Sequence, residues 1–168
     1  MDILFHTVRN TSDETLMGHK LWFPAVKGCD AVSATANASG FTPLIAVARY
    51  FEWDYGMMKA AASACNEKGE IAILTEVKPT LFLVPATKGR GNAAFLIKDL
   101  LRAVSKVGVR GLHFTHFGFL QGPFPGAEIA AILDVILDPK LPTFLERLVF
   151  DIDERKRAQL HNLMRPKP

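Results

Sequence analysis

Cysteine is scarce in this chain: 168 residues hold two, Cys29 and Cys65. Neither lies in a Cys-x-x-Cys pair or at a Cys/His ligand spacing, so both are read as reduced, half-buried thiols and no metal site is expected. No apolar run approaches the roughly 20 residues that a membrane span needs, so no membrane partner is expected. Several signatures are also missing: Gly-x-Ser-x-Gly, His-Glu-x-x-His and a credible Ser/His/Asp set. With them go the usual hydrolase readings. Internal repeats, low-complexity stretches and linkers do not occur either. The start of the chain, Met1-Asp2-Ile3-Leu4-Phe5, carries an acid and reads as a strand, without the basic region or cleavage site of a secretory signal, and a cytoplasmic location is the expectation.

What is present has the balance of a globular protein, 49% hydrophobic and 22% charged. At this length one domain spanning 1–168 buries about 70% of its unfolded surface, and two ordinary domains do not fit. The net charge of +3 is unevenly spread. From Glu154 onward Arg155, Lys156, Arg157, Arg165 and Lys167 face one acid, a tail of +4 that leaves −1 on residues 1–153. The basic excess belongs to a tail and not to a domain face, so nucleic acid is not an expected partner. Binding of RNA through the tail stays an alternative, one that salt and truncation at Glu154 abolish.

Strand patterns fall on residues 2–8, Asp30–Ala36, Glu70–Thr75, Thr80–Ala86, Val109–Thr115 and Leu145–Ile152, the third and fourth joined near Pro79 as an antiparallel pair. Between Pro43 and Cys65 the spacing predicts one broken or two short helices, interrupted at Gly56. Asn92 is a fitting N-cap for an amphipathic helix to Val107, with Leu96, Leu100, Ala103, Val104 and Val107 on one face and Lys98, Arg102 and Lys106 on the other. Gly108 stops it. Ala127–Leu137 predicts a buried helix and Glu154–Met164 a last one. Helices alternating with strands in this way predict a three-layer α/β/α sandwich on a mixed central sheet.

Ligands in such sheets bind where loops leave the carboxyl ends of strands. Two loops are therefore candidates. The first opens with Asn37-Ala38-Ser39-Gly40, turn chemistry after the strand DAVSATA. The second, Thr115 to Pro125, is rich in Gly, Phe and Pro and runs into the amino end of the buried helix, where free N–H groups favour an anion; its bland alternative is a hydrophobic cover for the core. His113 and His116 are three apart on a strand, point to opposite faces and do not chelate one ion. His113 is read as packed and His116 as lining a pocket at the strand end, while His6 and His19 are structural or surface groups. Lys88, in Thr87-Lys88-Gly89-Arg90-Gly91-Asn92, lies between a strand and a helix cap without the spacing of a phosphate-binding loop; a solvated basic turn is the alternative. Asp151 and Asp153 alternate onto one face of the last strand, as a carboxylate pair or as solvated acids.

GLHFTHFGFLQGPFPGAEIAAILDVIL, LERLVFDID and GEIAILTEVKPTLFLVPATK resemble the phosphate-loop, final-strand and middle-strand segments of a macrodomain. That α/β/α module binds ADP-ribose, and the middle strands are similar to the branch that removes terminal ADP-ribose from acidic side chains. The similarity runs from Asp30 to Asp153. DAVSATAN resembles the family's Asp-Ala-hydrophobic-Val-Asn-Ala-Ala-Asn strand, with Asn37 on the second asparagine and Ala34 in place of the first. The glycine-rich first loop falls on Thr42-Pro43-Leu44. In that branch a lysine attacks the sugar carbon with help from an aspartate; Lys88 falls on the lysine and Gly122 on the aspartate position.

The resemblance implies an ADP-ribose-like small molecule or an ADP-ribosylated protein as partner and no cofactor. The ligand site it implies is Asn37, Ser39, Gly40, Thr42, Thr115, Phe117, Gly118, Phe119, Gln121 and Gly122. Hydrolysis, if any, falls to Lys88 as nucleophile and His116 as acid or base. The rival is an interaction module with a decayed ligand site, which the lost glycines, Phe117, Phe119, Phe124 and the basic tail fit. Oligomeric state is left open.

Overall fold

The computed structural model describes residues 2–8, 28–39, 42–85, 93–114, 134–138, 140 and 145–153. Strands β1 (Asp2–Val8), β2 (Ala31–Thr35), β3 (Ala72–Leu74), β4 (Thr80–Val84), β5 (Gly111–Phe114) and β6 (Arg147–Asp153) form one sheet in the order β1-β6-β5-β2-β4-β3. Every neighbouring pair is parallel except β3 with β4, so the sheet is mixed as expected. The helices are α1 (Pro43–Tyr50), α2 (Tyr55–Lys68) and α3 (Ala93–Val107).

The two sheet faces are covered by different helices. Val32 and Ala34 of β2, with Ala36 just beyond it, form one buried cluster with Leu81 and Leu83 of β4, Leu44 and Val47 of α1, and Met58, Ala62 and Cys65 of α2. Ile97, Leu100, Leu101 and Val104 of α3 are buried outside that cluster, and α3 touches β4, so it covers the other face. β2 is thus shielded on both faces and both edges, which is why its sequence is apolar and small with Ser33 inside. The helix layers on either side of a mixed sheet make the α/β/α sandwich.

Four expectations change in detail. The break between the first two helices is not at Gly56. It falls at residues 51–54, where Glu52 adopts φ 57 and the Glu52 and Trp53 N–H groups donate to the carbonyls of Arg49 (3.2 Å) and Ala48 (2.8 Å). That is the bonding of a Schellman stop, with glutamate where glycine usually stands, so no glycine marks it in the sequence. Gly56 instead lies in the first turn of α2, where its N–H needs no partner within the helix. Asp54 caps that turn through a 2.7 Å bond from Met57 N–H, and a Cβ on Gly56 would approach Asp54 Oδ1 at 3.3 Å. The helix also runs past Cys65 to Lys68 and stops at Gly69 with φ 66.

On α3 the expected Leu100 and Val104 are buried together with Ile97 and Leu101, which the expected stripe left out, and Val107 is 41% exposed. Gly108, φ 77, ends the helix as predicted: its N–H donates to Ser105 O at 3.2 Å and that of Val109 to Val104 O at 3.3 Å. Strand ends shift as well. β3 and β4 are shorter than expected, β5 begins at Gly111, and β6 begins at Arg147 and continues to Asp153. The predicted Glu154–Met164 helix and most of Ala127–Leu137 lie outside the described residues, of which 134–136 are helical.

Candidate functional site

Chain order fixes where a crevice opens. From β2 the chain moves outward through α1, α2, β3 and β4, and then α3 carries it back past β2 to β5 on the other side. The direction of winding therefore reverses at β2, whose neighbours β4 and β5 are both parallel to it. Loops leaving the carboxyl ends on either side of such a reversal diverge and leave room for a ligand. The segment after β2 carries Asn37, Ser39, Gly40 and Thr42; the one after β4 carries Lys88; the one after β5 carries Thr115, His116, Phe117, Gly118, Phe119, Gln121 and Gly122. β6 is parallel too, so Asp153 ends at the same edge.

Of these residues Asn37, Ser39 and Thr42 are described; Gly40, Lys88 and everything from Thr115 to Gly122 lie outside the described residues. The described part is closely held. Ala36 N–H donates to Val84 O at 2.8 Å, tying the loop to β4, and Asn37 N–H donates to Thr35 O at 2.7 Å. Ser39 N–H donates to Asn37 Oδ1 at 3.2 Å, and the Ser39 hydroxyl reaches the same oxygen at 2.7 Å. A backbone N–H only donates, so the amide orientation of Asn37 is fixed and its Nδ2 faces away from the loop. Asn37 is exposed, and among the described residues Nδ2 meets no acceptor.

The carbonyls of this loop are turned the other way. Asn66 Nδ2 donates to Ala36 O at 2.6 Å, the Tyr55 hydroxyl to Ala38 O at 3.0 Å and the Thr42 hydroxyl to Asn37 O. Neither Tyr55 nor Asn66 stands out in the sequence, because each acts on a residue 17 or 30 positions away.

Thr42 is also the N-cap of α1, its Oγ1 accepting Ile45 N–H at 3.4 Å and its carbonyl accepting Ala46 N–H at 3.0 Å. Pro43 at the first helical position has no N–H. Of the N–H groups from Leu44 to Ala46, that of Leu44 alone has no partner among the described residues, so this helix end is a weak anion site compared with an open glycine loop.

Ala34 is fully buried in the cluster beneath α1 and α2. His113 is fully buried, as expected of a packed residue. A cavity of about 600 Å³ opens at the opposite, amino-terminal edge of the sheet beside Asp30, Tyr50, Phe51, Lys78 and Val109. None of the residues that line it is a sequence-predicted site residue. At that edge burial raises the Cys29 thiol to about 11, against a lowering by the Arg147 guanidinium and a further raising by Asp30. Neither cysteine is bridged in a disulfide, and no group of metal-ligating side chains occurs among the described residues. No described helix is long and apolar enough to cross a membrane.

No family model and no curated protein matches the chain. Solved structures do. A mutant of the Oceanobacillus iheyensis macrodomain with ADPR superposes with a TM-score of 0.59 at 13% identity, over 96% of this chain and 90% of that one. The macro domain of ganglioside induced differentiation associated protein 2 gives 0.56 at 10% identity over 96% and 82%. The Oceanobacillus iheyensis macrodomain with ADP gives 0.53 at 16% identity over 80% and 82%. At these identities the likeness is one of fold: the chain has the macrodomain fold, in a sequence far diverged from those it superposes on.

Proposed function

We propose, from the macrodomain fold of this chain, that it binds ADP-ribose or a related phosphate-bearing nucleotide in the crevice between the loops that follow β2 and β5, without efficient hydrolysis. One observation carries this. The loop after β2 has its three successive carbonyls, of Ala36, Asn37 and Ala38, taken up by protein donors, while the Asn37 amide is locked with Nδ2 outward. With the Ala36, Asn37 and Ser39 N–H groups also bonded within the protein, the group such a loop presents to a ligand is a donor, the Asn37 side-chain amide. Ribose hydroxyl and phosphate oxygens are the matching groups, and similar folds with ADPR and with ADP support the same class.

Inefficient hydrolysis follows from Gly122 at the position of the assisting carboxylate. A nucleophile and its partner act as a unit, and losing one member costs orders of magnitude in rate. Residual activity would rest on Lys88 and His116. The reading as an interaction module with a decayed ligand site is favoured by one feature, the Thr42 cap and Pro43 that together use up or remove donors at the start of α1.

Thermal melts with ADP-ribose, AMP and inorganic phosphate test the proposal. A midpoint that climbs with ADP-ribose as binding linkage requires supports it. No climb at millimolar ADP-ribose favours the interaction module. Release of ADP-ribose from a modified acidic peptide at a rate lost in Lys88→Ala overturns the claim of inefficient hydrolysis.

A further inference from the structure

We infer that Tyr55 and Asn66 of α2 are positioning residues for ligand binding, acting on Asn37 through the carbonyls on either side of it; this rests on the proposal that the loop after β2 meets the ligand. Tyr55 and Asn66 stand about three turns apart, which returns them to one stripe of α2 beside the buried Met58 and Ala62. From that stripe they reach across to the same loop: Asn66 Nδ2 holds Ala36 O at 2.6 Å and the Tyr55 hydroxyl holds Ala38 O at 3.0 Å.

The peptide unit is planar, so fixing a carbonyl also fixes the N–H that follows it. The Ala36 carbonyl sets the plane leading into Asn37 and the Ala38 carbonyl the plane leading into Ser39. Ser39 N–H in turn orients the Asn37 amide by donating to Oδ1 at 3.2 Å. The path from α2 to the outward-facing Nδ2 is therefore continuous: Tyr55, the 38–39 peptide, Ser39 N–H, Asn37 Oδ1. Asn66 supports the near side, where Ala36 N–H is already pinned to Val84 O. Thr42 closes the middle carbonyl but also caps α1, so its removal mixes two effects.

Tyr55 is the cleaner probe because the residue is 53% exposed, and Tyr55→Phe removes one hydroxyl without emptying the core. Two readouts are measured for the intact chain, Tyr55→Phe, Asn66→Asp, Asn37→Ala and the double variant Tyr55→Phe/Asn37→Ala: ADP-ribose affinity by calorimetry and hydrogen exchange of the Ser39 amide. Tyr55→Phe and Asn66→Asp are expected to weaken ADP-ribose about three- to tenfold, the scale of one hydrogen bond. Ser39 exchange should quicken in both single variants. Tyr55→Phe should add little once Asn37 is alanine, a non-additivity that a purely structural role would not produce.

Equal affinity and unchanged exchange in Tyr55→Phe overturn the inference, and so does a full additional loss in the Asn37→Ala background. If the intact chain binds no ADP-ribose, the proposed function fails while exchange still decides this inference: faster Ser39 exchange upholds the link from α2 to the loop, and unchanged exchange removes it. Should Asn66→Asp not fold, Tyr55→Phe alone carries the test.

Discussion

Replacing Asp30 with alanine should cost this fold more than an exposed aspartate normally does. The side chain sits at the start of β2 and accepts the Gly111 N–H at 2.7 Å and the Arg110 N–H at 3.2 Å to each oxygen, across 80 positions of sequence. Beside these bonds, Asp30 N–H donates to Gly111 O and Thr80 N–H to Asp30 O. One residue thus staples the entries of β2, β4 and β5, the strands whose far ends frame the candidate site. A charge-assisted bond of this kind contributes about 1.5–3 kcal/mol. Arg110 is exposed, so water can replace the acceptor of its N–H at little cost. Gly111 is buried, and a Cβ there would meet Gly28 O at 2.9 Å and Cys29 Cα at 3.1 Å, which leaves water little access to its amide. The expected loss for Asp30→Ala is therefore about 2 kcal/mol, carried mainly by Gly111. For a chain of this size that lowers the melting temperature by about 4–8 °C. Asp30→Asn keeps an oxygen for Gly111 N–H and should lose less than half as much. Differential scanning calorimetry measures both. A melting temperature for Asp30→Ala within about 1 °C of the parent, or an equal loss for Asn and Ala, would refute the staple.

Glu52→Gly should raise stability by a few tenths to about 1 kcal/mol, since glycine adopts φ 57 without the clash that glutamate bears; a lower urea midpoint would contradict this. Met58→Ala, at a fully buried position of α2, should cost about 2–5 kcal/mol by chemical denaturation, and a loss below 1 kcal/mol would mean that the cluster collapses to fill the gap. The folded Cys29 thiol ionises near 11 rather than at its ordinary 9.0, so the folded protein takes up alkylating reagent at Cys29 more slowly than the unfolded chain at pH 9, and the rate climbs as pH approaches 11. The raised value also has a sign for stability: its contribution is complete below pH 9 and is lost as pH rises from 9 towards 11, so urea midpoints in Cys29→Ser should fall less over that window than in the parent.

The strands were the most readable part of the sequence. β1 and β2 lie where apolar runs and turn residues put them, and the antiparallel β3–β4 pair follows from two short runs flanking Pro79. The helix stop at Gly108 was readable from its glycine, whereas the one at Gly69 was placed too early, at Cys65, and the one at Glu52 was hidden, a left-handed glutamate beside which Phe51 stacks on Trp53 (ring centroids 5.3 Å apart). On α3 the expected Leu100 and Val104 are buried, while Ile97 and Leu101 join them and Val107 does not, because the apolar stripe is wide enough for packing to choose its edges. At the candidate site Asn37 and Ser39 were legible as turn chemistry, and Thr42 entered only through the family resemblance. Tyr55, Asn66 and Asp30 were not, since each works through a backbone group distant in sequence and carries no local pattern.

Isothermal titration of the intact chain and of Asn37→Ala with ADP-ribose tests the central claim most directly. A saturable heat with a micromolar constant, weakened at least tenfold in Asn37→Ala while the melting temperature of the free protein stays put, is the result the outward-facing amide predicts. No heat at millimolar ADP-ribose, or equal affinity in the two proteins, would contradict it.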